Sequence, residues 1–419
     1  MTRSSYRLPP WLATLAAALL LAACGGGGGG GTPPASAPAT SASTPTATPA
    51  GGAVTSTVAA GANVLPMVVD RGVDGTAINS PYVTVTVCQP GTQVCQDIDH
   101  VLVDTGSTGL RLTAAAAASL TLPAVTTSGG APVGECAHFA SGFTWGAVRR
   151  ADIRLASEVA SNAAIQVIGD AGVPAVPSAC TGTGGSLAAS GAAKGILGVG
   201  LFAQDCGLAC VGSTSPQIYY SCSGGACTST RLAAASQVTN PVSLLATDNN
   251  GVVMVLPAMP VGGVTSATGA LILGIGTQGN NQLGAATVFQ TDASGFFTTT
   301  YKGTTYPHSF LDSGSNGFFF HDSTIKTCTN STDFFCPDAP LTLTATQAAA
   351  GGTTRDVTFT IDNVDALAAQ VSAANIAGDA GSGLPQTFDW GLPFFYGRTV
   401  FTAITGASTP AGTGPFWAW

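Results

Sequence analysis

Apolar and polar residues alternate along several short segments of the chain. In YVTVTV, residues 82–87, valines alternate with threonines, and this period of two predicts a half-buried strand. The segment IDHVLVDTGS, residues 98–107, predicts a second strand that runs into an acidic turn. Comparable segments follow at AIQVIGD, GVVMVLPAM, ALILGIG, GFFTTTYKG and DVTFTID. This succession of short strands predicts an all-β chain.

Helices are predicted at two short segments, residues 113–120 (TAAAAASL) and residues 241–248 (PVSLLATD). The composition agrees with a β-rich chain, because the 419 residues include 55 glycines, which favour turns. Apolar residues make up 45% of the chain and charged residues 8%, which is enough for a large core. The net charge of −8 excludes a basic surface for nucleic acid, so no nucleic-acid partner is expected.

The first 24 residues have the features of a bacterial lipoprotein signal peptide. Arg3 and Arg7 precede an apolar run, Leu12 to Ala23, that is too short to span a bilayer comfortably. The run ends in LAAC, which resembles a lipobox and predicts lipidation of Cys24. Ordinary signal cleavage, with Cys24 incidental, is the alternative. We therefore expect a lipid-anchored protein of the bacterial cell envelope, and Gly25 favours the outer membrane.

A flexible linker is predicted over residues 25–61. This segment consists mainly of Gly, Thr, Pro, Ser and Ala and has no charged residue. Such a composition is flexible at the glycine run and stiffer at the prolines. The folded body should therefore begin at about residue 62 and stand off from the membrane to which Cys24 would attach it.

Ten cysteines remain after Cys24, and an even number in an exported chain suggests disulfides. Sequence alone does not fix the connectivity. Pairing along the chain predicts Cys88–Cys95, Cys136–Cys180, Cys206–Cys210, Cys222–Cys227 and Cys328–Cys336. A zinc site is the alternative for the four cysteines between residues 206 and 227. An oxidising compartment disfavours that alternative, and no metal is expected.

The stretch VLVDTGSTGLRL, residues 101–112, has a second copy in SFLDSGSNGFFF, residues 309–320. In each copy an Asp follows apolar residues and precedes a Gly by two positions. One copy would be explained by a hairpin turn, since Asp and Gly are turn formers. The aspartates, Asp104 and Asp312, lie about half the chain apart, and repetition at that scale indicates two related lobes.

These two motifs resemble those of the pepsin-like aspartic proteases, whose two β-lobes each give one D-[TS]-G-[ST] loop to a shared cleft. The family also has an apolar-apolar-Gly motif later in each lobe. Ile196-Leu197-Gly198 matches it well, whereas Asp389 interrupts the apolar pair before Trp390-Gly391. The resemblance covers residues 63–419 and implies an N-terminal lobe over 62–235 and a C-terminal lobe over 236–419. The chain is also similar to bacterial lipoproteins of unknown function.

The resemblance implies a membrane-anchored endopeptidase in which Asp104 and Asp312 form a catalytic dyad. Two carboxyls held close together share one proton, so one activates water and the other donates a hydrogen bond to the substrate carbonyl. Supporting roles fall to the flanking residues of both loops: Thr105, Gly106, Ser107, Ser313, Gly314 and Ser315. The partner would be a peptide or protein substrate, and the protein would act as a monomer.

The sequence departs from the family at the flap hairpin, for which HFASGFTWGAV, residues 138–148, is the candidate. Phe139 occupies the position of the family's flap Tyr, and Arg111 that of the Trp bonded to it. His138 and Trp145 are further candidates for contacting substrate. The linker also lacks the basic residues of a pepsin-type pro-segment. A non-catalytic envelope binding protein that retains the cleft is the alternative function.

No cofactor is expected. The segment GIGTQG, residues 274–279, fits a dinucleotide-binding pattern, but NNQLG follows it and does not open a helix. None of the four histidines lies in H-E-x-x-H, and neither Ser107 nor Ser315 lies in G-x-S-x-G. Zinc peptidase and serine hydrolase chemistry are therefore unsupported by motif.

Overall fold

The computed structural model describes residues 51–181, 185–186, 191–381, 384 and 386–419. The predicted signal peptide, the predicted lipidation site Cys24 and most of the predicted linker lie outside the described residues. Strands dominate the described chain, which confirms the all-β class. No helix in these described ranges is both long and apolar enough to cross a membrane.

Twelve strands lie between residues 54 and 229. They are β1 (Val54–Thr55), β2 (Val64–Val69), β3 (Pro81–Cys88), β4 (Cys95–Asp104), β5 (Thr108–Thr113), β6 (Val133–Phe139), β7 (Gly142–Leu155), β8 (Glu158–Ile168), β9 (Gly185–Ser186), β10 (Gly195–Val199), β11 (Tyr219–Ser223) and β12 (Ala226–Ser229). The alternation in β3 works as predicted, since Val83, Val85 and Val87 are buried and Thr84 is exposed. Strands β4 and β5 flank β10, and β6 and β7 form a long hairpin.

The rest of the described chain has fourteen strands. They are β13 (Gly251–Val255), β14 (Ala267–Leu273), β15 (Val288–Gln290), β16 (Phe297–Tyr301), β17 (Thr304–Asp312), β18 (Phe318–Phe320), β19 (Leu341–Ala348), β20 (Thr354–Ile361), β21 (Ala377–Asp379), β22 (Thr387–Gly391), β23 (Thr399–Ala403), β24 (Ser408–Thr409), β25 (Gly412–Thr413) and β26 (Phe416–Ala418). Seven of them form one sheet in the order β20-β19-β16-β17-β22-β18-β21. Buried aromatic rings fill its core, and Phe388 stacks between Phe320 and Trp390.

Strands from both halves of the chain meet in the larger sheet. Strand β2 pairs with β14, which pairs in turn with β13, and β23 joins β13 to β26. Strand β1 also pairs with β14, at Val54↔Ala267. The linker predicted over residues 25–61 therefore extends too far toward the C-terminus, because strand β1 within it already belongs to the sheet.

Helices are few and short: α1 (Leu208–Gly212) and α2 (Val364–Leu367), with 3-10 turns at Ala234–Ser236, Pro241–Leu244 and Leu392–Phe395. The helix predicted over residues 113–120 is wrong, because turns follow directly once β5 ends at Thr113. The helix predicted over residues 241–248 is reduced to one 3-10 turn. Isolated helices of this length are marginal in water, so the sheet pairing of β5 with β8 prevails over the alanine propensity.

All five predicted disulfides are present: Cys88–Cys95, Cys136–Cys180, Cys206–Cys210, Cys222–Cys227 and Cys328–Cys336. The alternative zinc site is excluded, because its four cysteines are consumed by two of these bonds. Asp365 lies near Cys328 and Cys336, but their sulfurs are likewise bonded to each other and are not thiolate ligands.

Candidate functional site

Asp104 and Asp312 occupy equivalent positions in two equivalent arrangements of strands. Asp104 ends β4 and pairs in parallel with Gly198 of β10. Asp312 ends β17 and pairs in parallel with Gly391 of β22. The strand beside each Asp, β10 or β22, also pairs antiparallel with the strand that follows the Asp loop. Strand β10 pairs with β5, and β22 pairs with β18. The repeated sequence motif is thus a repeated structure.

The loop at the end of β4, residues 104–107, surrounds the Asp104 carboxylate with hydrogen-bond donors. Oδ1 accepts hydrogen bonds from the N–H groups of Gly106, at 2.8 Å, and Ser107, at 3.1 Å. Oδ2 accepts a bond from the Ser107 hydroxyl at 2.5 Å. The side chain is only 5% exposed, so these three donors replace water around it. Hydrogen bonds of this kind favour the ionised form of a carboxyl group.

The loop at the end of β17, residues 312–315, surrounds the Asp312 carboxyl in the same way. The described hydrogen bonds include two donors here instead of three. Oδ1 of Asp312 accepts a bond from the Gly314 N–H at 2.8 Å, and Oδ2 accepts one from the Ser315 hydroxyl at 2.9 Å. Desolvation and the neighbouring Asp104 carboxyl raise the pKa of Asp312 to about 8. Asp312 is therefore the member of the pair whose surroundings favour the protonated form.

Thr105 and Ser313 lock the two loops together by reciprocal hydrogen bonds. The Thr105 N–H donates to Ser313 Oγ at 3.1 Å, and the Ser313 N–H donates to Thr105 Oγ1 at 2.9 Å. Each hydroxyl then donates to the strand that carries the opposite loop. Thr105 donates to the Leu311 carbonyl of β17, and Ser313 donates to the Val103 carbonyl of β4. Both side chains are buried, so the four bonds are shielded from water.

Gly106 and Gly314 allow the two carboxyls to approach each other. A Cβ at Gly106 would lie 2.6 Å from Cγ of Asp312, and a Cβ at Gly314 would lie 2.8 Å from Cγ of Asp104. Each glycine thus faces the aspartate of the opposite loop. The Cβ at Gly314 would also lie 3.1 Å from Oδ1 of Asp312, so the two carboxyls are neighbours. Two neighbouring acids favour a state in which they share one proton, as a carboxyl dyad does.

We expect Gly106→Ala to lower the free energy of unfolding by about 1–3 kcal/mol, because the new methyl group overlaps the Asp312 carboxyl. Chemical denaturation of both proteins measures the difference. Gly279→Ala is the matched control, since a Cβ there meets open space. Equal losses in the two variants would mean that the loops are not in close contact.

A third carboxyl, Asp389, lies beside the dyad. It is 6% exposed, belongs to β22, and faces Phe310 of β17 and Phe319 of β18 in register. Burial, and then the charges of Asp312 and Asp104, raise its pKa well above the ordinary range. The sequence marks this residue only as an interruption of the apolar pair before Trp390-Gly391.

The flap candidates divide between the two faces of the β6–β7 hairpin. Glu135 and Phe139 share one face, where Phe139 lies 5.6 Å from the Arg111 guanidinium. His138 and Trp145 lie on the other. Trp145 is buried against Tyr220 beside the Cys136–Cys180 disulfide and donates to the Pro174 carbonyl. Trp145 is therefore a packing residue, and Phe139 is the candidate that faces the Arg111 side.

Arg111 is held by a buried acidic cluster that was not anticipated from the sequence. Its guanidinium donates to Glu135 at 2.6 Å, to Asp205 at 3.4 Å and to the Thr108 carbonyl at 2.7 Å. Tyr219 donates to Asp205 at 2.5 Å. Burial and the adjacent Glu135 raise the pKa of Asp205 well above its usual range. One cation therefore faces two acids, and the surroundings of Asp205 favour its protonated form.

A sequence signal for this cluster was available. Glu135 is one of only two glutamates in the chain and stands in the apolar run VGECAHF. A buried Glu and a buried Arg on strands of one lobe each need a partner, because an unpaired buried charge is costly. Asp205 and Tyr219 carried no such signal, since Asp205 lies in a loop and Tyr219 begins the short strand β11.

A cavity of about 210 Å³ opens beside the first Asp loop. Thr105, Gly106 and Ser107 form one wall. Aromatic and aliphatic side chains form the rest, chiefly Leu201, Phe202, Phe296 and Phe310. The cavity offers an apolar side chain a place beside the loop that carries Asp104.

Comparisons with known proteins give a family and a structural neighbour. None of the curated proteins matches the chain. Among solved structures, the aspartic proteinase from Irpex lacteus is similar at 17% sequence identity with a TM-score of 0.47, covering 85% of this chain and 96% of that one. The model of a family described as "Protein of unknown function (DUF3443)" matches residues 59–419. The chain therefore belongs to this family.

Proposed function

We propose that the protein is an aspartic endopeptidase, lipid-anchored at Cys24 in the bacterial envelope, that hydrolyses peptide bonds with the Asp104–Asp312 dyad. The observation that carries the proposal is the close approach of these two carboxyls within interlocked loops, where the glycine of each loop faces the aspartate of the other. A pair of Asp-Gly turns formed for structural reasons would not need to bring two acids together, because like charges at close range destabilise the fold.

The two carboxyls have different tasks. Asp104, with three hydrogen-bond donors around it, is the ionised partner and takes a proton from the attacking water. Asp312 is the protonated partner and donates to the carbonyl oxygen of the substrate as negative charge develops there. The water oxygen bonds to the carbonyl carbon, and collapse of the tetrahedral intermediate with proton transfer to nitrogen releases the amine.

The cavity beside the first loop supports a peptide or protein substrate with an apolar side chain next to the cleaved bond. Burial of one such side chain against Phe202, Phe296 and Phe310 would contribute about 1.5–3 kcal/mol to binding. The protein would act as a monomer, since both aspartates come from one chain. Neither a cofactor nor a nucleic acid has a part in this reaction.

A second candidate, a peptide-binding protein without hydrolytic activity, is favoured by one observation. The flap candidate Phe139 has no hydroxyl to donate to a substrate, and Arg111 below it is committed to Glu135 and Asp205. Binding alone would still use the cavity and the cleft. The two candidates differ in whether bound peptides are cut.

The proposal is tested by incubating a peptide library with the protein over a range of pH and identifying the products by mass spectrometry. We expect cleavage beside apolar residues, with activity falling above about pH 8, because Asp312 then loses the proton that it must donate. A statine-type peptide, which mimics the tetrahedral intermediate, should raise the melting temperature. A thermal shift without cleavage at any pH would favour the binding protein, and the absence of both would refute the site.

A further inference from the structure

The larger sheet has one face toward the Asp loops and one face away from them. In β26, Trp417 lines the cavity beside the first Asp loop, whereas Phe416 and Ala418 belong to a separate apolar cluster. Neighbouring residues of a strand point to opposite faces of a sheet. Val253 of β13 and Ile272 of β14 belong to the same separate cluster. We call this side of the sheet, opposite to the cavity, the outer face.

Three segments pack on the outer face, and none of them contains a charged residue. They are residues 57–62, 276–288 and 405–414. The side chains with which they cover the apolar cluster are Val58, Leu283, Ala286 and Ala411. Their exposed residues include small apolar ones, such as Ala60 and Ala285. The outer face therefore presents an uncharged and partly apolar surface to its surroundings.

The charges of the protein lie in other parts of the chain. Residues 51–69, 249–291 and 399–419 contain no charged residue. In the whole chain 21 acidic residues outnumber 13 basic ones, and two of the basic residues, Arg3 and Arg7, lie in the predicted signal peptide. Anionic lipid headgroups attract basic residues and repel acidic ones, and a charge brought close to lipid must be desolvated. The outer face is therefore the side that a bilayer repels least.

The chain that comes from the predicted lipidation site enters the body at one end of this sheet. The N–H of Gly51, where the described residues begin, donates to the Gly263 carbonyl at 2.9 Å, and β1 then runs beside β14. Beyond β1, the chain packs Val58 on the outer face. Between Cys24 and Gly51 there are 26 residues. A linker of their composition has an average reach of about 30 Å.

We propose that the outer face is the surface with which the protein contacts a phospholipid bilayer, so that the cleft opens away from the membrane. The inference rests on the lipid anchor of the proposed function and is independent of whether the dyad cleaves peptides. A short tether keeps the body at a high local concentration beside the bilayer. Weak contact of an uncharged, partly apolar surface is then enough to decide which side faces the lipid.

Labels on single cysteines test this orientation in the lipidated protein. The ten cysteines after Cys24 form disulfides, and a lipidated Cys24 has no free thiol, so an added cysteine is labelled alone. Ala285→Cys places a fluorescent label on the outer face. Ala140→Cys places it at the exposed tip of the β6–β7 hairpin. That tip lies on the side of the Asp loops, because Phe139 contacts Arg111, which donates to the carbonyl of Thr108.

The labelled proteins are reconstituted in vesicles of phosphatidylethanolamine and phosphatidylglycerol, in which some headgroups carry a nitroxide quencher. We expect quenching to be several-fold stronger for the label at residue 285 than for the label at residue 140. Equal quenching at the two sites, or stronger quenching at residue 140, would overturn the proposal.

Two pairs of substitutions test whether the absence of charge sets the orientation. Ala60→Glu with Gln282→Glu adds two acids to the outer face, and we expect it to reduce the quenching at residue 285 several-fold. Thr344→Glu with Thr358→Glu adds the same charge to exposed positions of β19 and β20 and should leave this quenching unchanged. If both pairs had the same effect, the uncharged outer face would not determine the orientation.

Mass spectrometry of the purified protein shows whether Cys24 carries lipid. A chain without lipid would have no tether, and this result would also overturn the inference. The peptide-library assay of the dyad would be unaffected by it. Conversely, a protein that cleaves no peptide can still show the expected quenching, so failure of the peptidase function and failure of the membrane orientation are separate results.

Discussion

Replacing Asp104 by Asn is expected to slow peptide hydrolysis about 10²–10⁴-fold, the usual contribution of a general base. Asn has nearly the shape of Asp, so its oxygen still accepts the N–H groups of Gly106 and Ser107. What the amide lacks is the basicity needed to take a proton from water. The ratio of kcat/KM between wild type and variant on one cleaved peptide measures the effect.

The folded state should tolerate this change, because it removes one of two neighbouring acids. We expect the melting temperature of Asp104→Asn to equal or exceed that of the wild type. Asp338→Asn is the control, since that side chain is 86% exposed and pairs with Lys326 at the surface. A loss of less than tenfold for Asp104→Asn would contradict the assignment of Asp104 as the base.

Replacing Arg111 by Met is expected to lower the free energy of unfolding by about 3–5 kcal/mol. Arg111 and Glu135 are almost fully buried, and removal of the cation leaves Glu135 and Asp205 facing each other without compensation. Methionine fills much of the same volume, so the loss of stability comes more from the two acids left without a cation than from a cavity. Urea denaturation gives the difference between the two proteins.

The triple variant Arg111→Met, Glu135→Gln, Asp205→Asn should recover a large part of this loss, because no net charge remains in the buried cluster. Arg231→Met serves as control, since Arg231 is exposed, and should change stability by no more than about 0.5 kcal/mol. If Arg111→Met were no more costly than Arg231→Met, the cluster would not be held together by charge.

The dyad was foreseeable from sequence because its signal is local and repeated. D-T-G-S and D-S-G-S each carry their own hydrogen-bond donors, so each loop can be recognised without knowledge of the fold. The disulfides were foreseeable for a similar reason, since four of the five join cysteines within eight residues of each other. Local spacing contained most of the information in both cases.

The surroundings of the dyad were not foreseeable, because they depend on strand register. Phe139 and Trp145 lie on opposite faces of the β6–β7 hairpin because of the register of that pairing, and a shift of one residue would place both on the same face. The position of Asp389 near the dyad follows from the pairing of β22 with β17, which the sequence does not show. The helix expected over residues 113–120 failed because β5 continues through Thr113 and pairs with β8, a contact between distant parts of the chain.

The reciprocal bonds between Thr105 and Ser313 also have a kinetic consequence. They join residues 208 positions apart, and contacts between such distant segments form late, since the entropy of closing the loop must be overcome first. Neither half of the chain can assemble the pair of acids alone. If the protein is the proposed peptidase, a nascent chain would therefore lack a complete dyad, and with it peptidase activity, until its second half had folded.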